Sequence, residues 1–182
     1  NGEIIARCTG KSEFGARALG ARSIIASPRN SDVVKEINDA IKNRDFWMPF
    51  TPSILEEYVS DYLVDPKGCV SESMTIGFES TPLAHQDIPA ALHPADFSVR
   101  PQKVSKNLNP SYWELIEAFR KRTGISCLLN TSLNLHGEPM NYSQADAART
   151  VAKSALNILQ LSDCLIIVKC EMEERIREII SL

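Results

Sequence analysis

No stretch of this 182-residue chain is apolar for long enough to cross a bilayer. The opening NGEIIARCTG lacks the basic start and long apolar segment of a secretory signal. It also lacks an initiator Met, so a piece of a longer polypeptide is expected. The five cysteines contain no CxxC pair, and the three histidines are far apart, which argues against a zinc site. Cys8, Cys69, Cys127, Cys164 and Cys170 are odd in number and scattered. Cys127 and Cys164 sit inside apolar runs, so buried, reduced thiols in a cytoplasmic protein are expected. Positive charge is not in excess either. The formal net charge is -3, so the overall field attracts neither nucleic acid nor an anionic membrane. Any anion site must be a local patch. Internal repeats and low-complexity tracts are absent, and nothing fixes a nucleophile elbow for Ser-His-Asp chemistry.

What is present fits one domain over residues 1–182, long enough for a real core. Glu3–Cys8, Arg22–Ala26, Ser73–Phe78, Arg100–Ser105, Ile125–Leu129 and Cys164–Val168 read as strands. Helices are expected after Ser31, after a Ser53/Glu56 capping box, from Asn109-Pro110 to Gly124, and from Ser143 through Ser154. A closing amphipathic helix carries Met172, Ile176, Ile179 and Ile180. Residues 79–101 hold Pro82, Pro89, Pro94 and Pro101 and are expected to be extended and irregular. The rough alternation of strand and helix predicts an α/β fold with a mostly buried, mixed sheet.

The most chemically loaded stretch is KSEFGARALGAR, Lys11–Arg22. Its glycines let a ligand approach the main chain, and its Arg forks match phosphate or carboxylate oxygens two at a time. A flexible surface turn is the plain alternative. Lys42 and Arg44 follow a helix, where such cations commonly face the negative end of the dipole. His93, Asp96, Arg100 and Gln102 form a third cluster. Asn130, Thr131, Ser132, Asn134, His136 and Glu138 follow a short apolar run. The carboxyl end of a buried strand is where α/β sheets place ligands. If these clusters converge, the cavity suits a polyanion.

Five blocks in order resemble the C-terminal domain of the O-carbamoyltransferase family. They are SEFGARALGARSIIASPR (Ser12–Arg29), INDAIKNRDFWMPFTPSIL (Ile37–Leu55), HPADFSVRPQKV (His93–Val104), NPSYWELIEAFRKRTGISCLLNTSLNLHGEP (Asn109–Pro139) and DCLIIV (Asp163–Val168). The resemblance implies a YrdC-like open twisted mixed sheet flanked by helices. It also implies conversion of carbamoyl phosphate and ATP to carbamoyl-adenylate, with Mg²⁺ assisting. A preceding sugar-kinase-like domain of the same polypeptide, which carries an iron site, would pass the carbamoyl group to a hydroxyl acceptor. Lys42-Asn43-Arg44 and Ser132-Leu133-Asn134 match the K-x-R and S-x-N signatures of the YrdC-type group.

By that resemblance Lys42, Arg44, Ser132 and Asn134 are the catalytic residues. Lys11, Arg17, Arg22, His93, Arg100, Asn130 and Thr131 bind substrate, and no residue is assigned to a metal. Alternatives of another class are a non-catalytic nucleotide- or anion-binding module, a docking module, or an RNA-binding YrdC-like domain. The acidic balance argues against the last.

Overall fold

The computed structural model describes residues 2–42, 48–65 and 67–162, together with the backbone of 165–168. Its elements run β1 (Ile5–Cys8), β2 (Arg22–Ala26), α1 (Asp32–Ile37), β3 (Thr51–Leu55), α2 (Val59–Tyr62), β4 (Leu63–Val64) and β5 (Glu79–Ser80). They continue with α3 (Pro82–Asp87), β6 (Gln102–Val104), α4 (Pro110–Thr123), β7 (Cys127–Ser132), α5 (Gln144–Lys153), β8 (Ile158–Leu161) and β9 (Leu165–Val168). Seven strands make one sheet in the order β6-β3-β7-β2-β1-β8-β9. The pairs β1/β8 and β3/β6 are parallel and the others antiparallel. Among the described residues the sheet is mixed, as the α/β expectation has it, and has two unjoined edges, the open form that the resemblance implied.

Side chains alternate between faces along each strand. Ile24, Ala26, Cys127, Leu129 and Ile54 pack on one face with Val33 and Ile37 of α1 and Ala147, Ala148 and Val151 of α5. Ile25, Leu55, Val104 and Leu128 pack on the other with Tyr112 and Ile116 of α4. The helix α4 begins where the Asn109 side chain accepts from the Tyr112 N–H and Pro110 opens the first turn; it stops at Gly124, whose φ is +81°. A reciprocal Ser143/Asp146 capping box starts α5.

Several expectations need correction. Ser53 does not cap a helix. It lies in β3, and its hydroxyl donates to Gln102 Oε1 at 2.7 Å. Ser31 makes no side-chain cap bond at α1; Asn30 Oδ1 accepts from the Asp32 N–H instead. Residues 73–78 form no regular strand, because Met74 turns to φ +56° and only Phe78 pairs, with Val99. The segment 79–101 is not simply extended. Thr81 caps α3, with Pro82 at its first turn. The strand β8 was not expected. β7 runs on through Ser132, so its polar residues lie inside the strand rather than after it. Cys164 and the closing helix lie outside the described residues.

One consequence positions the site. On the α4 face, Arg7, Ser23, Ser53, Gln102 and Asn130 are all 2 % exposed or less. Their strand parity is that of the apolar residues beside them: Ser23 with Ile25, Asn130 with Leu128, Ser53 with Leu55, Gln102 with Val104. Buried polar groups must be hydrogen-bonded. These are turned toward the loop that joins β1 to β2.

Candidate functional site

The β1–β2 loop is not a slack turn. Its root, 18–22, is gripped on nearly every backbone polar group. Asn130 Nδ2 donates to the Ala18 carbonyl at 3.1 Å. Gln102 Nε2 and Asn109 Nδ2 donate to the Leu19 carbonyl at 2.9 and 3.0 Å. Arg7 Nε donates to the Gly20 carbonyl at 2.9 Å. Glu13 Oε1 accepts from the N–H groups of Leu19, Ala21 and Arg22 at 2.7, 2.8 and 3.0 Å. Ser23 Oγ accepts from the Gly20 N–H. Gly20 is required twice over: its φ is +115°, and a Cβ there would stand 2.3 Å from the Tyr112 ring. The tip is open by contrast. Gly15 has φ +120° with open space where a Cβ would project, and Phe14 is fully exposed.

Between tip and root, Arg17 lines a narrow cleft of about 50 Å³ with Arg100, Thr51, Asn130, Thr131 and Ser132. Among the described residues no carboxylate lines it. Arg100 Nη2 reaches Thr51 Oγ1 at 3.4 Å. Burial, and after it the charge of Arg17, pushes the Arg100 guanidinium below its ordinary proton affinity. Two like charges facing one cleft without an acid between them favour a bound anion.

Lys42 ends a single π-helical turn, Asn38–Lys42, and is 1 % exposed. Its ammonium donates to the Ser132 carbonyl and to Ser132 Oγ at 3.2 Å. It also reaches the Asn134 carbonyl at 3.3 Å and Asn134 Oδ1 at 2.8 Å. Ser132 Oγ donates in turn to Asn134 Oδ1 at 2.6 Å. His136 Nδ1 donates to the Lys42 carbonyl at 2.7 Å. The K-x-R lysine and the S-x-N pair thus meet across ninety residues of sequence. Ser132 belongs both to this knot and to the cleft.

The remaining expected residues separate. Arg22 is buried, and its guanidinium donates to the carbonyls of Tyr142, Thr9, Ala21 and Gly10. Four of its five N–H donors are spent on the scaffold, which favours a bracing role over a grip on substrate. Lys11 is exposed and does not line the cleft. His93 lines a different pocket of about 370 Å³ with Val34, His85, Leu92 and Phe97, and pairs with Asp96 at 3.2 Å. Pro49 is common to both cavities. Arg44 lies outside the described residues. Sequence reasoning missed Glu13, Arg7, Ser23 and Asn109 as the loop's clamps, and Ser53 as the partner of Gln102 and Asn130 behind them. Strand parity could have flagged Arg7 and Ser53 as inward polar residues; nothing local marks Glu13.

An open mixed sheet thus carries a Gly/Arg loop, braced at its root, beside a cleft lined by two arginines. Comparison with known proteins gives the family: residues 1–168 match the family model of the carbamoyltransferase C-terminus, and the chain belongs to that family. Nodulation protein NolO of Bradyrhizobium diazoefficiens is 39% identical over 166 residues, covering 91% of this chain and 30% of that protein. Nodulation protein NolNO of Sinorhizobium fredii is 39% identical over 166 residues, 91% of this chain and 24% of that protein. Nodulation protein U of Rhizobium tropici is 35% identical over 128 residues, 70% of this chain and 22% of its own length. The chain therefore spans less than a third of the length of these relatives. Among the described residues no helix is long and apolar enough to cross a membrane.

Proposed function

We propose that this domain activates a carbamoyl group: it takes carbamoyl phosphate and ATP to carbamoyl-adenylate, for transfer to a hydroxyl by another domain of the same polypeptide. The observation that carries this reading is the cleft shared by Arg17 and Arg100, free of carboxylates among the described residues and joined through Ser132 to the Lys42 knot. Arg17 and Arg100 hold the acyl phosphate. Water cleaves it to carbamate and inorganic phosphate. A carbamate oxygen then bonds to the α-phosphorus of ATP as the bond to pyrophosphate breaks. Lys42 and Arg44 neutralise the triphosphate, and Ser132 and Asn134 orient oxygens at the α-phosphorus. Such chemistry rests on positioning and charge neutralisation rather than on a protein nucleophile. Mg²⁺ would be carried by the phosphates, since the cleft's donor set is cations, amides and hydroxyls.

The test is to mix the chain with ATP and carbamoyl phosphate and follow pyrophosphate release. Release should require both substrates and fall about 100-fold in Arg17→Ala, a loss consistent with removing a transition-state charge partner. A second reading, a non-catalytic docking or anion-binding module, is favoured by Phe14, which stands fully exposed on the same loop. Tight binding of both substrates without pyrophosphate release would select it. Release that is unchanged in Arg17→Ala would remove the cleft from the reaction.

A further inference from the structure

Asn130 is a clamp of the loop that is only half used, as is Glu13, whose Oε2 is also buried without a partner among the described residues. Asn130 is 1 % exposed and lines the Arg17/Arg100 cleft. Its Nδ2 donates to the Ala18 carbonyl at 3.1 Å, to Ser53 Oγ at 2.9 Å and to Gln102 Oε1 at 3.2 Å. Those three acceptors fix the amide. A flip would set Oδ1 against the Ala18 carbonyl and Gln102 Oε1, two groups that can only accept from it. Ser53 cannot rescue a flip, because its proton is already given to Gln102 Oε1. The amide oxygen therefore points away from this network, and among the described residues it has no hydrogen-bond partner although it is buried. A buried acceptor left unmatched is costly. Here it is held in place by three bonds to the other end of the same amide.

Asn130, Arg17 and Arg100 line one cleft, and a ligand that carried both an anionic end and an N–H would match the arginines and the amide oxygen together. We propose that Asn130 is the residue that selects a carbamoyl over other acyl phosphates, its Oδ1 accepting from the carbamoyl amino group while Arg17 and Arg100 hold the phosphoryl oxygens. Acetyl phosphate has the same charge and nearly the same shape but offers a methyl group where carbamoyl phosphate offers two N–H donors. A site built around a buried polar partner discriminates strongly against the analogue that lacks the matching group, because the site's own group is then stranded. This inference rests on the acyl-phosphate reading of the cleft and names its selective contact.

The test is calorimetric titration of the chain with freshly dissolved carbamoyl phosphate, acetyl phosphate and inorganic phosphate, with no nucleotide present. Carbamoyl phosphate should bind about 10- to 100-fold more tightly than acetyl phosphate, as expected for satisfying one buried acceptor. In Asn130→Ala that ratio should fall to about one, as the acceptor that sets it is gone. Ser53→Ala leaves Oδ1 in place and should keep the preference, so a general loosening of the loop would not mimic the result. If Asn130→Ala fails to fold, the wild-type ratio decides. Equal affinities for carbamoyl and acetyl phosphate, the result expected of an amide oxygen satisfied by water, would overturn the inference and leave the arginine cleft standing. A preference that survives in Asn130→Ala would overturn it too. No binding of any of the three would overturn the acyl-phosphate reading itself.

Discussion

The two cationic regions of this domain are neighbours with opposite arrangements. Lys42 is buried, and its ammonium is hydrogen-bonded by neutral oxygens of Ser132 and Asn134. Arg17 and Arg100 share a cleft that no carboxylate of the described residues lines, and burial, with the charge of Arg17 after it, lowers the proton affinity of Arg100. A buried charge held by the chain's own acceptors contributes to the fold as well as to any chemistry. A pair of like charges facing one cleft favours a bound anion. The same division runs through the β1–β2 loop. Its root is fixed by Glu13, Arg7, Gln102, Asn109 and Asn130, whereas its tip at Phe14 and Gly15 projects freely. Arg17 thus stands between a fixed root and a free tip.

Substitutions can break this comparison from either side. The largest effect is expected at the root. Gly20→Ala should cost about 4 kcal/mol, adding a clash with Tyr112 to a strained φ, whereas Gly15→Ala should cost about 1 kcal/mol from φ alone. Denaturant midpoints would check both, and equal costs would mean that the root is no firmer than the tip. Lys42→Ala should cost about 3 kcal/mol, since it removes a charged donor and strands buried oxygens. A Lys42→Ala protein as stable as wild type would deny the knot a structural role.

A carboxylate outside both regions supplies the baseline. The Ser143 backbone N–H, then its hydroxyl, holds the Asp146 carboxyl below its ordinary range in the α5 capping box. A depressed folded pKa contributes stability that is full above the unfolded value of about 3.9 and is lost as pH falls through the folded value. Acid titration of stability should show that loss, and Asp146→Asn should flatten it. Ser143→Ala should cost about 1 kcal/mol. An unchanged acid limb in Asp146→Asn would remove the box from the pH response. The smallest stability effect belongs to the cleft: Arg17→Ala should change stability by no more than about 0.5 kcal/mol, as for other exposed positions.

Much of this was legible in the sequence where a local signal existed. Asn109, Pro110 and Gly124 bound α4 because capping chemistry is written within one turn. The apolar cores of β2 and β7 followed from short buried runs. Ser53 misled because S-x-x-E reads as a cap when the tertiary partner, Gln102 on the parallel strand beside it, is invisible locally. β7 was cut short because Asn130, Thr131 and Ser132 look like a loop until β2 and β3 are seen to bracket them. The K-x-R and S-x-N signatures single out Lys42, Ser132 and Asn134, which the fold brings together, but no spacing rule could show that Arg22 would spend its donors on four carbonyls. Long-range hydrogen bonds decided each of these outcomes, and they leave no periodic trace in a chain.

The most direct trial of the central claim is a calorimetric titration of carbamoyl phosphate into the wild-type chain and into Arg17→Ala. The expected result is one site per chain in the wild type and an affinity at least about tenfold weaker in the variant, equivalent to about 1.4 kcal/mol, with the thermal midpoint unchanged. An affinity that is the same in both proteins would contradict the claim that these two guanidiniums form the seat of the anion.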